Sequence, residues 1–151
     1  MADRIPRLPA DGPALRTFTI ELPPGTPILT GNSRLNRYER NRITQGLKNA
    51  VIVLARRDRI PPVGRCDITV EYATPPRRRK DRHPLAAEAI SDADNIAPTA
   101  KACADGLTAA GVLPRGDASA HVRSVRCVLA GETHPRGVVR VIIAETAGGA
   151  R

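Results

Sequence analysis

Aromatic side chains are almost missing from this chain. Phe18, Tyr38 and Tyr72 are the only ones, and there is no tryptophan. So few rings exclude a protein that coats single strands by stacking base after base. No RNP-type aromatic motif for RNA is present either. Cysteine is scarce: Cys66, Cys103 and Cys127 are far apart, odd in number and never in C-x-x-C spacing. That excludes a zinc ribbon and a disulfide framework, and reads as small buried residues in a reducing compartment. No apolar run approaches the ~20 residues of a membrane span. The opening stretch, MADRIPRLPADGPALR, has no apolar h-region and does not read as a secretory signal. The expectation is a soluble, cytoplasmic protein with no membrane partner.

What the chain does have is positive charge. Its 151 residues carry a net charge of +9. Of 24 basic residues 21 are arginine, amid abundant Ala, Gly and Pro. That bias has the look of a GC-rich genome, yet the excess of base over acid still favours a polyanionic partner, nucleic acid first. The length suits a single domain, 1–151, with 1–14 and 146–151 as loosely ordered tails.

Hydrophobic periodicity orders the chain. Residues 15–22 alternate as a strand, and 23–34, with three prolines and two glycines, read as a loop. Residues 35–59 are helical in character, with Leu35, Tyr38, Leu47, Val51 and Leu54 mostly at 3–4 spacing. Residues 65–73 form the cleanest strand, with Cys66, Ile68, Val70 and Tyr72 on one face. A basic connection follows, then a second helix to about Ala110, its stripe formed by Ile96, Ala100, Cys103, Leu107 and Ala110. Gly111 is its natural stop. Two further strands, 120–130 and 136–145, are most simply a hairpin. The fold class is α+β: a small mixed β-sheet of about four strands with two main helices.

The pointed stretch is SDADNIAPTAKACADG, residues 91–106. Pro98 places the second helix's start between Asn95 and Pro98, with Asn95 or Ala97 as cap. Asp92 and Asp94 then precede the helix on extended or turn backbone. On extended backbone, residues two apart point the same way, so the carboxylates would converge. Converging hard oxygens suit Mg²⁺, which takes carboxylates together with waters and phosphate. An ordinary acidic helix cap is the plainer reading of the same residues. Lys101 lies near the helix start, where the dipole disfavours a cation, and makes more sense facing a phosphate or a carboxylate cluster. Asp117, in the loop after the helix, is a third candidate. His83, His121 and His134 lack metal-ligand spacing.

Asp92, Asp94, Asn95, Lys101, Asp105, Gly106, Leu107, Ala110, Gly111 and Asp117 together resemble the RusA-type Holliday junction endonucleases. NSRLNRYER, 32–40, is similar to the family's N-terminal motif, and a basic run precedes the aspartates in both. The resemblance covers roughly residues 16–145 and is strongest over 92–122. Here the lysine lies seven residues after the second aspartate, further than in the best-known members, and Gly116 stands where the family often has an acid.

The resemblance implies an intertwined homodimer that uses Mg²⁺, with Mn²⁺ as a substitute, and resolves four-way DNA junctions by paired symmetric nicks. It implies Asp92, Asp94 and Asp117 as metal ligands and Lys101 as a further catalytic residue. Arg34, Arg37, Arg40, Arg42, Arg77, Arg78, Arg79 and Lys80 are the candidate contacts to DNA backbone. Residues 98–110 as helix span about 20 Å, with Asp92 and Asp117 at opposite ends. Either one chain folds back to join them or a twofold partner completes the site. A basic DNA-binding protein without catalysis, and a branched-DNA nuclease without strict junction choice, are the alternatives.

Overall fold

The computed structural model describes residues 14–32, 34–76, 92–113 and 121–146. Strand β1 is Ala14–Glu21, helix α1 Arg37–Arg57 and strand β2 Cys66–Ala73. A 3₁₀ turn, Ala93–Ile96, runs into helix α2, Ala97–Ala109. Strands β3, Val122–Leu129, and β4, Val138–Thr146, complete the α+β domain. Ala14 and Thr146, expected in loose tails, pair with each other at the end of the β1–β4 ladder. The remainder of both tails lies outside the described residues.

The four strands form one mixed sheet in the order β1-β4-β2-β3. β4 is antiparallel to β1 and to β2, while β2 and β3 are parallel. The expected hairpin of the last two strands is therefore wrong: β2 lies between them. The reason is visible in the side chains. β4 is the most apolar strand and takes the interior position, where Ile143 pairs with Ile68 and Val141 with Val70. On the reverse face Glu71 accepts from Arg140 at 2.9 Å. β3, half-exposed and carrying Arg123, Ser124 and Arg126, is the polar edge that keeps a sheet from pairing onward. The loop between β3 and β4 passes over the end of β2, donating from Ala130 N to Tyr72 O and from His134 N to Thr74 O.

One face of the sheet is the core. Cys66, Ile68, Val70 and Tyr72 alternate inward as their pattern predicts, beside Ile20, Val139, Val141 and Ile143. Both helices pack there, α1 through Leu47, Val51 and Leu54 and α2 through Ala100, Cys103 and Leu107. The helices also pack on each other. A Cβ on Gly106 would stand 3.0 Å from the Lys48 carbonyl oxygen and 3.0 Å from Val51 Cβ, so glycine permits the close crossing. Tyr38, assigned to the inner stripe by spacing, instead points to solvent. Gly111, at φ 83°, ends α2 as expected. All three cysteines are free thiols. Burial pushes the Cys66 thiol up to about 11 and that of Cys103 up to about 12, which keeps both neutral and unreactive.

Candidate functional site

The two aspartates sit where the chain enters α2. Asp92 is extended, but Asp94 already lies in the 3₁₀ turn, so the pair does not share one extended segment. Asp92 caps that turn: its Oδ1 accepts from Asp94 N at 3.0 Å, and its carbonyl accepts from Asn95 N at 3.1 Å. The acidic-cap reading is thus realised at Asp92, and it occupies one oxygen of the carboxylate. α2 begins at Ala97, within the expected window, but its N-cap is Ile96, which makes no side-chain cap bond. Ala97 is helical despite preceding a proline. Pro98 is accommodated because an N–H in the first turn has no intrahelical acceptor to lose.

The electrostatic setting separates these aspartates from the other acids. Among the described residues, Glu21, Asp58, Asp67, Glu71, Asp105, Glu132 and Glu145 each lie within ion-pair distance of an arginine or lysine. Glu39 is engaged in the capping box of α1. Asp92 and Asp94 are exposed and have no cationic partner among the described residues. In a chain of net charge +9 that pairing is easy to make, and among the described residues it is not made. Asp94 also stands beside edge strand β3, where it adds to burial in raising the Cys127 thiol.

Lys101 is 81% exposed and lies 3.9 Å from Asp105, one turn along α2. Its helix face is still that of Asp94. Positions three apart eclipse in a 3₁₀ turn and positions four apart align in an α-helix. Asp94, Ala97, Lys101 and Asp105 therefore form one stripe, and all four are exposed. The lysine stands about 10 Å along that stripe from Asp94.

A clasp brings the N-terminal motif to the same place. The Thr99 hydroxyl, 1% exposed, donates to Leu29 O at 2.7 Å and accepts from Leu29 N at 2.8 Å. Gly31 N donates to Asn95 O at 2.8 Å. The loop before α1 is thereby fixed onto the segment that carries the aspartates. Arg34, Arg37 and Arg42 follow it in sequence, exposed and without a carboxylate partner among the described residues. Arg40, on the same helix, is half-buried. Spacing along the chain does not reveal this clasp. The available signal was Ile28-Leu29, an apolar pair inside a Pro- and Gly-rich loop, which has to be buried against something.

Asp117, Arg77, Arg78, Arg79 and Lys80 lie outside the described residues. Among the described residues no three of His, Cys, Asp and Glu gather as a metal-ligand group. Mg²⁺ takes as few as one or two protein carboxylates, with the remaining positions left to water and phosphate, and Asp92 keeps one carboxylate oxygen outside its cap hydrogen bond. No described helix is long and apolar enough to cross a membrane. No protein-family model matches this chain, and no curated protein matches its sequence.

Proposed function

We propose that this protein is a Mg²⁺-dependent endonuclease acting on branched DNA, with four-way junctions as its substrate. The observation that carries the reading is that Asp92 and Asp94 have no cationic partner among the described residues, on a segment hydrogen-bonded to the loop that leads to the exposed Arg34, Arg37 and Arg42 of a strongly basic chain. An ordinary acidic cap accounts for Asp92 but gives no reason for Asp94 to lack a basic partner among the described residues. The resemblance of residues 92–122 to RusA-type resolvases points to the same chemistry. Asp92 and Asp94, with Asp117 as the third ligand, would hold the metal, which when bound supplies Lewis-acid activation of a phosphodiester. Lys101, on the Asp94 stripe, offsets negative charge on the phosphate as the bond breaks. Arg34, Arg37, Arg40, Arg42, Arg77, Arg78, Arg79 and Lys80 neutralise the backbone on either side. The protein works as a homodimer, which gives two sites for two symmetric cuts.

The test separates binding from cutting. Asp92→Asn, Asp94→Asn and Asp117→Asn are each expected to abolish cleavage of a labelled four-way junction while binding persists. Lys101→Ala is expected to lower the rate by at least about tenfold, a modest share of what electrostatic stabilisation contributes at such sites. If the Asn variants merely bind DNA more tightly and wild type makes no cuts, the protein is a non-catalytic DNA binder. Sedimentation as a monomer at working concentration would overturn the dimer.

A further inference from the structure

Tyr38 is the one ring that the fold does not use. Phe18 is half-buried, with the guanidinium carbon of Arg16 5.6 Å from its centroid, and Tyr72 is buried in the core. Tyr38 is 87% exposed in the first turn of α1. A single exposed hydrophobe is ordinary, but three features set this one apart. Its backbone is held firmly: Asn36 and Glu39 close a reciprocal capping box, with Glu39 N donating to Asn36 Oδ1 at 2.9 Å. Its neighbours are the exposed cations Arg34, Arg37 and Arg42, and Arg42 lies one turn along the same face. Like Arg56, Arg59, Arg65, Arg126 and Arg136, these three arginines make no salt bridge among the described residues, whereas Arg16, Arg57, Arg123 and Arg140 are each tied to a carboxylate.

Position is the third feature. Gly31, seven residues before Tyr38, is hydrogen-bonded to Asn95. At no more than ~3.6 Å per residue, the tyrosine lies within about 25 Å of that contact. This is less than one ~34 Å turn of duplex, so the tyrosine backbone and the Asn95 contact, one residue from Asp94, fit within one turn of the same DNA.

We propose that Tyr38 stacks on a single unpaired base at a branch in the DNA, with Arg34, Arg37 and Arg42 on the flanking phosphates. The inference rests on the DNA reading above and names the feature of the substrate that the protein recognises. An aromatic ring set among cations matches a base with its phosphates. Because there is one such ring, it suits a single discontinuity rather than a run of single strand.

The test uses the full chain in EDTA, so that no cutting is needed. A four-way junction with 2-aminopurine at the branch is compared with a linear duplex carrying it mid-helix. Wild type is expected to change the emission at the branch only. Tyr38→Ala should lose that change and weaken junction binding at least about fivefold, while duplex binding stays the same. Tyr38→Phe should keep both properties. Arg37→Ala should weaken both DNAs alike and reduce the salt slope by about one. Equal weakening of junction and duplex by Tyr38→Ala, or no weakening of either, overturns the proposal. So does an effect of Tyr38→Ala on sedimentation alone, which would mean that a second copy covers the ring. Wild type that binds and stacks but never cuts in Mg²⁺ supports Tyr38 and sinks only the nuclease. Wild type that binds neither DNA sinks both.

Discussion

Thr99 holds the candidate site together at the scale of one residue. Its hydroxyl satisfies both backbone groups of Leu29, which is itself buried. Thr99→Val keeps the shape and leaves a buried N–H and a buried C=O without a partner. It should cost about 1–3 kcal/mol in denaturant unfolding and weaken DNA binding by releasing the loop before α1. Thr99→Ser, which keeps the hydroxyl, should retain most of both. Glu145 ties the paired ends of β1 and β4 together through its charge. It accepts two hydrogen bonds from Arg16, at 3.1 and 2.8 Å, and one from Gly64 N at 3.2 Å. The Arg16 guanidinium, helped by the Gly64 amide, holds its carboxyl below the usual carboxylate range against the opposing effect of burial. A depressed carboxyl stabilises the fold at neutral pH, and that contribution is lost as pH falls through and below the ordinary carboxylate range. The melting temperature of wild type should therefore drop more steeply on acidification than that of Glu145→Gln, which begins lower and has no charge to lose.

Two glycines test how the helices are built. Gly106 lies in α2 against the backbone of α1, and Gly46 lies on the exposed face of α1 with nothing within 4 Å of an added Cβ. Gly46→Ala should stabilise by about 0.5–1 kcal/mol, the ordinary gain of alanine over glycine in a helix. Gly106→Val should destabilise by about 1–3 kcal/mol or more, because the helices must move apart. The elements themselves were legible in the sequence: alternation marked β2, and spacing with Gly111 marked α2. Strand partners were not. Adjacency in sequence favoured a β3–β4 hairpin, whereas the order follows from which strand has two apolar ladders to bury. The same limit applied to the site. Local sequence placed Asp92, Asp94 and Lys101 near a helix start, but it could not show that Asp94 enters the 3₁₀ turn. Nor could it show that Thr99 draws Leu29 across, or that Tyr38 turns outward.

For the molecule as a whole, charge is the governing property. Seven of the ten described acids are matched to bases, Glu39 is engaged in the α1 capping box, Asp92 and Asp94 have no cationic partner among the described residues, and the chain as a whole keeps a surplus of positive charge. Such a surface should bind DNA with a steep loss of affinity as salt rises. Binding alone does not require the aspartates, whereas cutting does. The most direct measurement is cleavage by wild type of an end-labelled four-way junction and of a matched linear duplex, each with Mg²⁺ and with EDTA. The account predicts paired, symmetric nicks in the junction, present with Mg²⁺ and absent with EDTA, and an intact duplex. Salt-sensitive binding with no cuts in any metal would contradict it.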